Sequence, residues 1–187
     1  MKNQLVRNGK LKKGFTLIEY MIVVALVAIV GAITYGNYVR GENKANKDGL
    51  VDAIVNFYAV AKTSKQTWKN YSGMSNTKVW YSNDMISDNF KSSTAGQFNT
   101  PYADNGLDFG YADQATDLAG NTITSSKGFA TVTIKGIDSS NCSDLVDSFI
   151  DKVMMVSVRG SRVASEDERD SLCASISSKT YITLTNN

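Results

Sequence analysis

Residues 14–19 read GFTLIE, and they join two stretches of opposite character. The leader before them carries five basic residues and no acidic one: Lys2, Arg7, Lys10, Lys12 and Lys13. The stretch after them is apolar as far as Val39, and Glu19 is its only charged residue. About 20 apolar residues are enough to cross a bilayer as a helix, and a basic flank stays on the cytoplasmic side. The junction therefore predicts a membrane-spanning helix over residues 15–40.

Glu19 is an unusual residue for such a helix, because a charge at the centre of a bilayer costs about 2.5–3.5 kcal/mol. A carboxylate in these surroundings is expected to have a partner of opposite charge. Gly14 and Phe15 form a plausible processing site that lies before the apolar stretch, whereas a secretory signal peptide is cut after it. The alternative is an ordinary membrane anchor whose glutamate reaches towards the cytoplasmic interface.

The junction resembles the leader of type IV prepilins, in which Gly is followed by Phe or Met and then by Thr-Leu-x-Glu. The resemblance implies that a prepilin peptidase cuts after Gly14 and methylates the new amino terminus at Phe15. It also implies that Glu19 pairs with the amino terminus of a neighbouring subunit and so serves subunit assembly. The implied partners are further copies of the chain in a helical homopolymer, the peptidase, an assembly ATPase with its platform protein, and a secretin.

The helical pattern continues beyond the apolar stretch, where one face carries Leu50, Ile54, Phe57, Tyr58 and Ala61. This spacing predicts an amphipathic helix laid on a sheet. A helix from about Phe15 to Ser64 would be roughly 75 Å long. Three glycines at positions 31, 36 and 41 favour either close helix packing or a stretch that can lose helical hydrogen bonds during assembly.

The second half of the chain predicts an antiparallel sheet with helical insertions. The predicted strands are Leu107–Asp113, Phe129–Ile137, Lys152–Arg159 and Tyr181–Thr185. Apolar residues from Cys142 to Ile150 have helical spacing, and residues 165–168 form a capping box before a second short helix. The predicted fold class is α+β: a pilin fold with a long N-terminal helix packed on an antiparallel sheet and a disulfide-bonded C-terminal region. The predicted domains are a cleaved leader, a helical stem and a globular head, at residues 1–14, 15–40 and 41–187.

Residues 65–106 are polar and rich in turn residues, with six aromatic residues scattered among them. A connection of this length is either a structured functional loop or several short elements. The aromatic residues are predicted to form small satellite cores, with a ligand cage as the alternative. They are Trp68, Tyr71, Trp80, Tyr81, Phe90 and Phe98.

Cys142 and Cys173 are the only cysteines of the chain. In a domain outside the cytoplasm they are predicted to form a disulfide, which would stabilise the head by about 3–4 kcal/mol; two free thiols are the alternative. A late disulfide, with Trp68 and Tyr71 after the helix, is similar to type IVb pilins of the bundle-forming, toxin-coregulated or conjugative-plasmid kinds. The short leader and Phe15 are instead similar to type IVa pilins.

Composition points away from catalysis, since the chain contains no histidine, the commonest general base and zinc ligand. We expect no enzyme activity, no cofactor and no metal. Asp104, Asp108, Asp113 and Asp117 could gather around calcium, but aspartates in turns more often form local hydrogen bonds. Cleavage after Gly14 would remove five basic residues and no acid, leaving 15 basic and 18 acidic residues, so no nucleic-acid binding is expected.

These features predict a structural subunit of a type IV pilus, polymerised into a surface filament for adhesion, aggregation, motility or DNA transfer. The precursor would lie in the inner membrane with its head in the periplasm, and the filament would be extracellular. One alternative is a pseudopilin of a type II secretion system. Another is a membrane-tethered binding protein that never polymerises.

Overall fold

The computed structural model describes residues 17–187, without the side chains of residues 33 and 36–43. Its helices are α1 Leu17–Trp68, α2 Asn76–Tyr81, α3 Ser139–Phe149 and α4 Glu166–Ala174. Its strands are β1 Leu107–Thr116, β2 Thr122–Ile137, β3 Met155–Val158, β4 Ser161–Arg162 and β5 Thr180–Asn186. The chain divides between Glu42 and Asn43 into two units, and the second, residues 43–187, is called the head below.

Helix α1 is 52 residues long and passes through Gly31, Gly36 and Gly41 without a break. The predicted start at Phe15 lies outside the described residues. The helix continues four residues beyond the predicted end at Ser64, and Lys69, in the left-handed region at φ 65°, follows its last residue. A residue with positive φ commonly stops a helix in this way.

Within the head, the apolar face predicted for α1 is confirmed. Leu50, Ile54, Phe57 and Ala61 are fully buried, and they pack into one core with residues of the sheet. The Phe57 ring lies 4.7 Å from that of Phe109 in β1. Burial of each of the three large side chains, Leu50, Ile54 and Phe57, stabilises the fold by about 1.5–3 kcal/mol, so this helix–sheet contact is a main source of the head's stability.

The sheet is antiparallel, with strand order β1-β2-β5-β3-β4. All four predicted strands are present, and the α+β class and antiparallel sheet are confirmed. Strands β1 and β2 run further than predicted, past a register shift between Ala112 and Gln114. Their extensions are rich in Thr and Ser, which hides the apolar alternation on which the prediction relied. The sequence does not predict the strand β4, because its two residues are too few to show an alternation of apolar and polar positions.

The region predicted to be one loop or several short elements contains several short elements. They are α2, a 3-10 turn at Asp88–Phe90 and an isolated bridge between Lys91 and Phe98. Tyr71 and Phe98 join the main core. Trp68 and Tyr81 are about 70% exposed, so the prediction that they form satellite cores is wrong.

Helices α3 and α4 both begin at side-chain caps. The Asp138 carboxylate accepts a hydrogen bond from the Asn141 backbone, and the Ser165 hydroxyl accepts one from the Glu168 backbone. The Ser165 half of the predicted capping box is therefore present, whereas the Glu168 carboxylate accepts its hydrogen bond from the Ala164 amide, one residue before the cap, instead of from the Ser165 amide. Each cap contributes about 1 kcal/mol to helix stability.

Candidate functional site

Glu19 lies in the first turn of α1, where a carboxylate interacts favourably with the positive end of the helix dipole. The predicted cleavage and methylation residues, Gly14 and Phe15, lie outside the described residues. Processing at Gly14 and Phe15 therefore stays a prediction, and so does the role of Glu19 in subunit assembly.

The apolar part of α1 presents large side chains to solvent on every side. Between residues 17 and 30, eleven of them are exposed, from Val23 at 47% to Leu17 at 80%. They are Leu17, Ile18, Tyr20, Met21, Ile22, Val23, Val24, Leu26, Val27, Ile29 and Val30. Apolar surface in water costs roughly 25 cal/mol for each Å², and a contiguous patch of this size marks a surface that something else covers.

Among the described residues, no helix combines the length and the apolar character needed to cross a membrane. The predicted span over residues 15–40 includes residues beyond that description, and it stays a prediction.

The disulfide between Cys142 and Cys173 joins α3 to α4, with 5.5 Å between the two Cα atoms. Both cysteines are buried. The predicted disulfide is confirmed, and the alternative of two free thiols is wrong. Cys173 is the one fully buried residue of α4, and the partly buried Leu172 packs against the core beside it, so the crosslink and this contact together hold the helix to the head.

Three of the four aspartates considered for calcium are engaged locally, and the fourth, Asp104, is exposed. Asp108 pairs with Lys135 at 2.5 Å, and Asp113 accepts a hydrogen bond from the Lys127 backbone. Asp117 accepts two hydrogen bonds from Asn121, which lower the pKa of its carboxyl. Residues 17–187 contain no group of three or more acidic or cysteine side chains arranged for a metal ion.

The sequence reasoning missed a lysine pocket in the head, a cleft of about 320 Å³ lined by Lys62, Lys65, Gln66, Lys69 and Asn187. Burial, followed by the charge of Lys62, lowers the pKa of Lys65. Lys62 and Lys65 lie three residues apart on one face of α1, and Lys69, four residues further along the chain, directly follows the last residue of that helix. That spacing was the signal that could have found the pocket.

Residues 9–35 match the family model of the prokaryotic N-terminal methylation motif, and these residues include Gly14, Phe15 and Glu19. No curated protein matches the chain. The motif supports a precursor like those of type IV pilins or pseudopilins, and it implies processing by a prepilin peptidase and handling by an assembly machinery. The disulfide-bonded α+β head agrees with a pilin fold.

Proposed function

We propose that this chain is a structural subunit of a type IV pilus. The peptidase cuts after Gly14 and methylates Phe15, and the processed chains polymerise into a surface filament for adhesion, aggregation, motility or DNA transfer. One observation carries the proposal: the methylation motif matches residues 9–35, at the start of a helix whose large apolar side chains are exposed.

The exposed helix explains why the processed chain would polymerise. Eleven large apolar side chains between residues 17 and 30 need apolar surroundings. Before assembly the inner membrane provides them, with the head in the periplasm. In a filament, the same helices of other copies replace the lipid, and Glu19 pairs with the methylated amino terminus of a neighbour, which compensates the burial of its charge.

The disulfide favours a pilin over a pseudopilin. The periplasm and the cell exterior are both oxidising, so the distinction rests on the resemblance: the heads of major pseudopilins are smaller domains without a disulfide, whereas this head contains one. The late position of Cys142 and Cys173 also supports the type IVb subclass, on the resemblance given above. The assembly ATPase, its platform protein and the secretin are the further partners that this function requires.

A non-catalytic role accords with the chemistry of the head. A groove of about 620 Å³ lies between α1 and the segment 87–101, and Asp52 is the only ionisable side chain among its lining residues. General acid–base catalysis relies on a positioned acid or base within hydrogen-bond reach of the reacting atoms. A groove with one ionisable side chain is also suited to binding or packing, which is the role proposed for it.

Mass spectrometry of filaments sheared from the native host tests the proposal. We expect the main species to begin at N-methylated Phe15 and to contain the Cys142–Cys173 bond. Processed chain found only in membranes would instead indicate a pseudopilin, and chain with an intact leader would indicate a tethered binding protein.

Substitution of Glu19 provides a second test. Glu19→Ala should abolish or cripple filament formation while leaving the chain in the membrane, because an amino terminus would lose its counter-charge. Asp48→Ala, which removes an exposed carboxylate from the same helix within the head, is the matched control and should assemble normally. Normal filaments from Glu19→Ala would contradict the assigned role.

A further inference from the structure

The lysine pocket concentrates positive charge at the end of α1. Lys65 is partly buried, and its ammonium donates hydrogen bonds to the Gly128 carbonyl oxygen at 2.9 Å and to the Asn187 side chain. Its neighbours Lys62 and Lys69 are exposed, and neither forms an ion pair within residues 17–187. No aspartate or glutamate side chain lines the pocket.

This arrangement keeps like charges close together with no acidic side chain among the lining residues. The positive charge of Lys62, after burial itself, disfavours the charged form of Lys65 and lowers its pKa. An incoming carboxylate would reverse that effect, since an opposite charge at short range favours the ammonium form. The pocket is therefore suited to an anionic group from outside the head.

A second part of the head carries the opposite charge. Its exposed acidic side chains lie on α3, on α4 and in the turn that follows α3; they are Asp144, Asp147, Asp151, Glu166, Asp167, Glu168 and Asp170. We call this set the acidic surface. Asp144, Asp147 and Asp151 have the same spacing, three and then four residues, as the three lysines.

The basic residues near the acidic surface leave part of it unneutralised. Arg169 pairs with both Asp147 and Asp170, and Lys152 pairs with Asp151 at 3.4 Å. Arg162 lies close to Asp167, although its guanidinium donates to the Asp117 carbonyl oxygen. In the part of the chain that the structure describes, Asp144, Glu166 and Asp167 form no ion pair.

We propose that the lysine pocket of one copy binds the acidic surface of a second copy. The proposal rests on the filament function above and names a contact between heads. Because the two patches are different surfaces of one chain, the contact is heterologous, and repetition of such a contact builds an open helical array. Exposed ion pairs contribute little energy individually. The contact therefore sets the register between heads, while the apolar helices supply most of the assembly energy.

A charge-swap experiment on the full chain in its native host tests the contact. Lys62→Glu with Lys69→Glu should lower the yield of sheared filaments about tenfold or more, because like charges opposite each other are strongly unfavourable. Asp144→Lys with Asp167→Lys should do the same. All four changes together should restore most of the yield, as a direct contact between the two patches requires.

Controls separate this contact from general effects of charge and from the function itself. Arg159→Glu with Lys179→Glu reverses two exposed cations elsewhere on the head and should assemble normally. Wild-type chain that forms no filaments would refute the proposed function. Normal assembly of both charge-reversed variants, alongside wild-type filaments, would refute only the contact. Lysine variants that assemble normally but no longer bind DNA would also refute it.

A crosslinking measurement covers the case in which charge reversal prevents accumulation of the chain. Lys69→Cys and Asp167→Cys in one chain should give a ladder of disulfide-linked oligomers from filaments on non-reducing gels. Lys179→Cys with Asp167→Cys is the matched control and should give none. Equal ladders from both pairs, or none from the first, would overturn the contact.

Discussion

The Tyr58 hydroxyl donates a hydrogen bond to the Leu184 carbonyl oxygen at 2.8 Å, which joins the amphipathic part of α1 to β5, the central strand of the sheet. Tyr58 is 7% exposed, and burial raises the pKa of its phenol well above 10. Burial also raises the pKa values of Tyr71 and Tyr102. The contact between helix and sheet thus depends on a neutral phenol.

We expect the free energy of unfolding to fall as the pH rises above about 10, the ordinary pKa of tyrosine. Above that pH the unfolded chain releases the Tyr58 proton while the folded chain retains it. The contribution of the buried phenol to the free energy of unfolding is therefore complete below about pH 10 and is lost as the pH rises further. Urea unfolding of the full chain in detergent, followed by circular dichroism from pH 8 to 11, measures this dependence.

Tyr58→Phe should lower the free energy of unfolding by about 1 kcal/mol at pH 8 through the lost hydrogen bond, and it should weaken the decline at high pH. Tyr81→Phe, at an exposed position, is the control and should leave both quantities unchanged. An undiminished decline in Tyr58→Phe would assign the pH dependence to other groups.

Removal of the disulfide should destabilise the head. The bond closes a loop across a sequence separation of 31 residues, and Cys142→Ala with Cys173→Ala should lower the free energy of unfolding by about 3–4 kcal/mol. Urea unfolding of the double variant and of the oxidised wild type gives the difference. A loss below about 1 kcal/mol would mean that the unfolded chain is little constrained by the bond.

Gly136 has a backbone conformation and surroundings that exclude a side chain. Its φ is +80°, and an added Cβ would lie 2.6 Å from the Ala103 Cβ and 2.8 Å from the Tyr102 carbonyl oxygen. Gly136→Ala should therefore cost about 2 kcal/mol or more in unfolding free energy. Gly49→Ala is the control: it lies in α1 with nothing within 4 Å of an added Cβ and should stabilise by about 0.5–1 kcal/mol. Similar changes in unfolding free energy for Gly136→Ala and Gly49→Ala would contradict the claim that Gly136, unlike Gly49, excludes a side chain.

Asn76 covers the edge strand β1 with its side chain. Its carbonyl oxygen accepts a hydrogen bond from the Phe109 backbone at 2.6 Å, and its amide donates to the Asp108 carboxylate at 3.0 Å. Asn76→Ala should lower the free energy of unfolding by about 1–2 kcal/mol, because the Phe109 amide loses its acceptor. Thr77→Ala, at the next and exposed position, should lower the free energy of unfolding by less in the same urea titration. Equal decreases in the two variants would indicate that each change acts on the stability of helix α2 and not on the bond to Phe109.

Local patterns predicted much of the fold. The apolar spacing from Leu50 to Ala61 predicts the buried face of α1, and Ser165 with Glu168 predicts the start of α4. Each of these signals is contained in a short segment of its own helix, so each can be recognised without knowledge of the tertiary structure. The polar extension of the β1–β2 hairpin was not predictable in this way. Thr122 and its neighbours pair with β1 through backbone hydrogen bonds, which any residue except proline can form.

The sequence by itself determined the processing motif, the apolar helix that follows it and the presence of two cysteines, since these features depend on residue type and short-range spacing. Only the tertiary structure decided that Tyr58 bonds to Leu184, that Asn76 covers β1, and that three lysines line one pocket with Asn187. These contacts join residues far apart in the chain, and their positions depend on how the whole core packs.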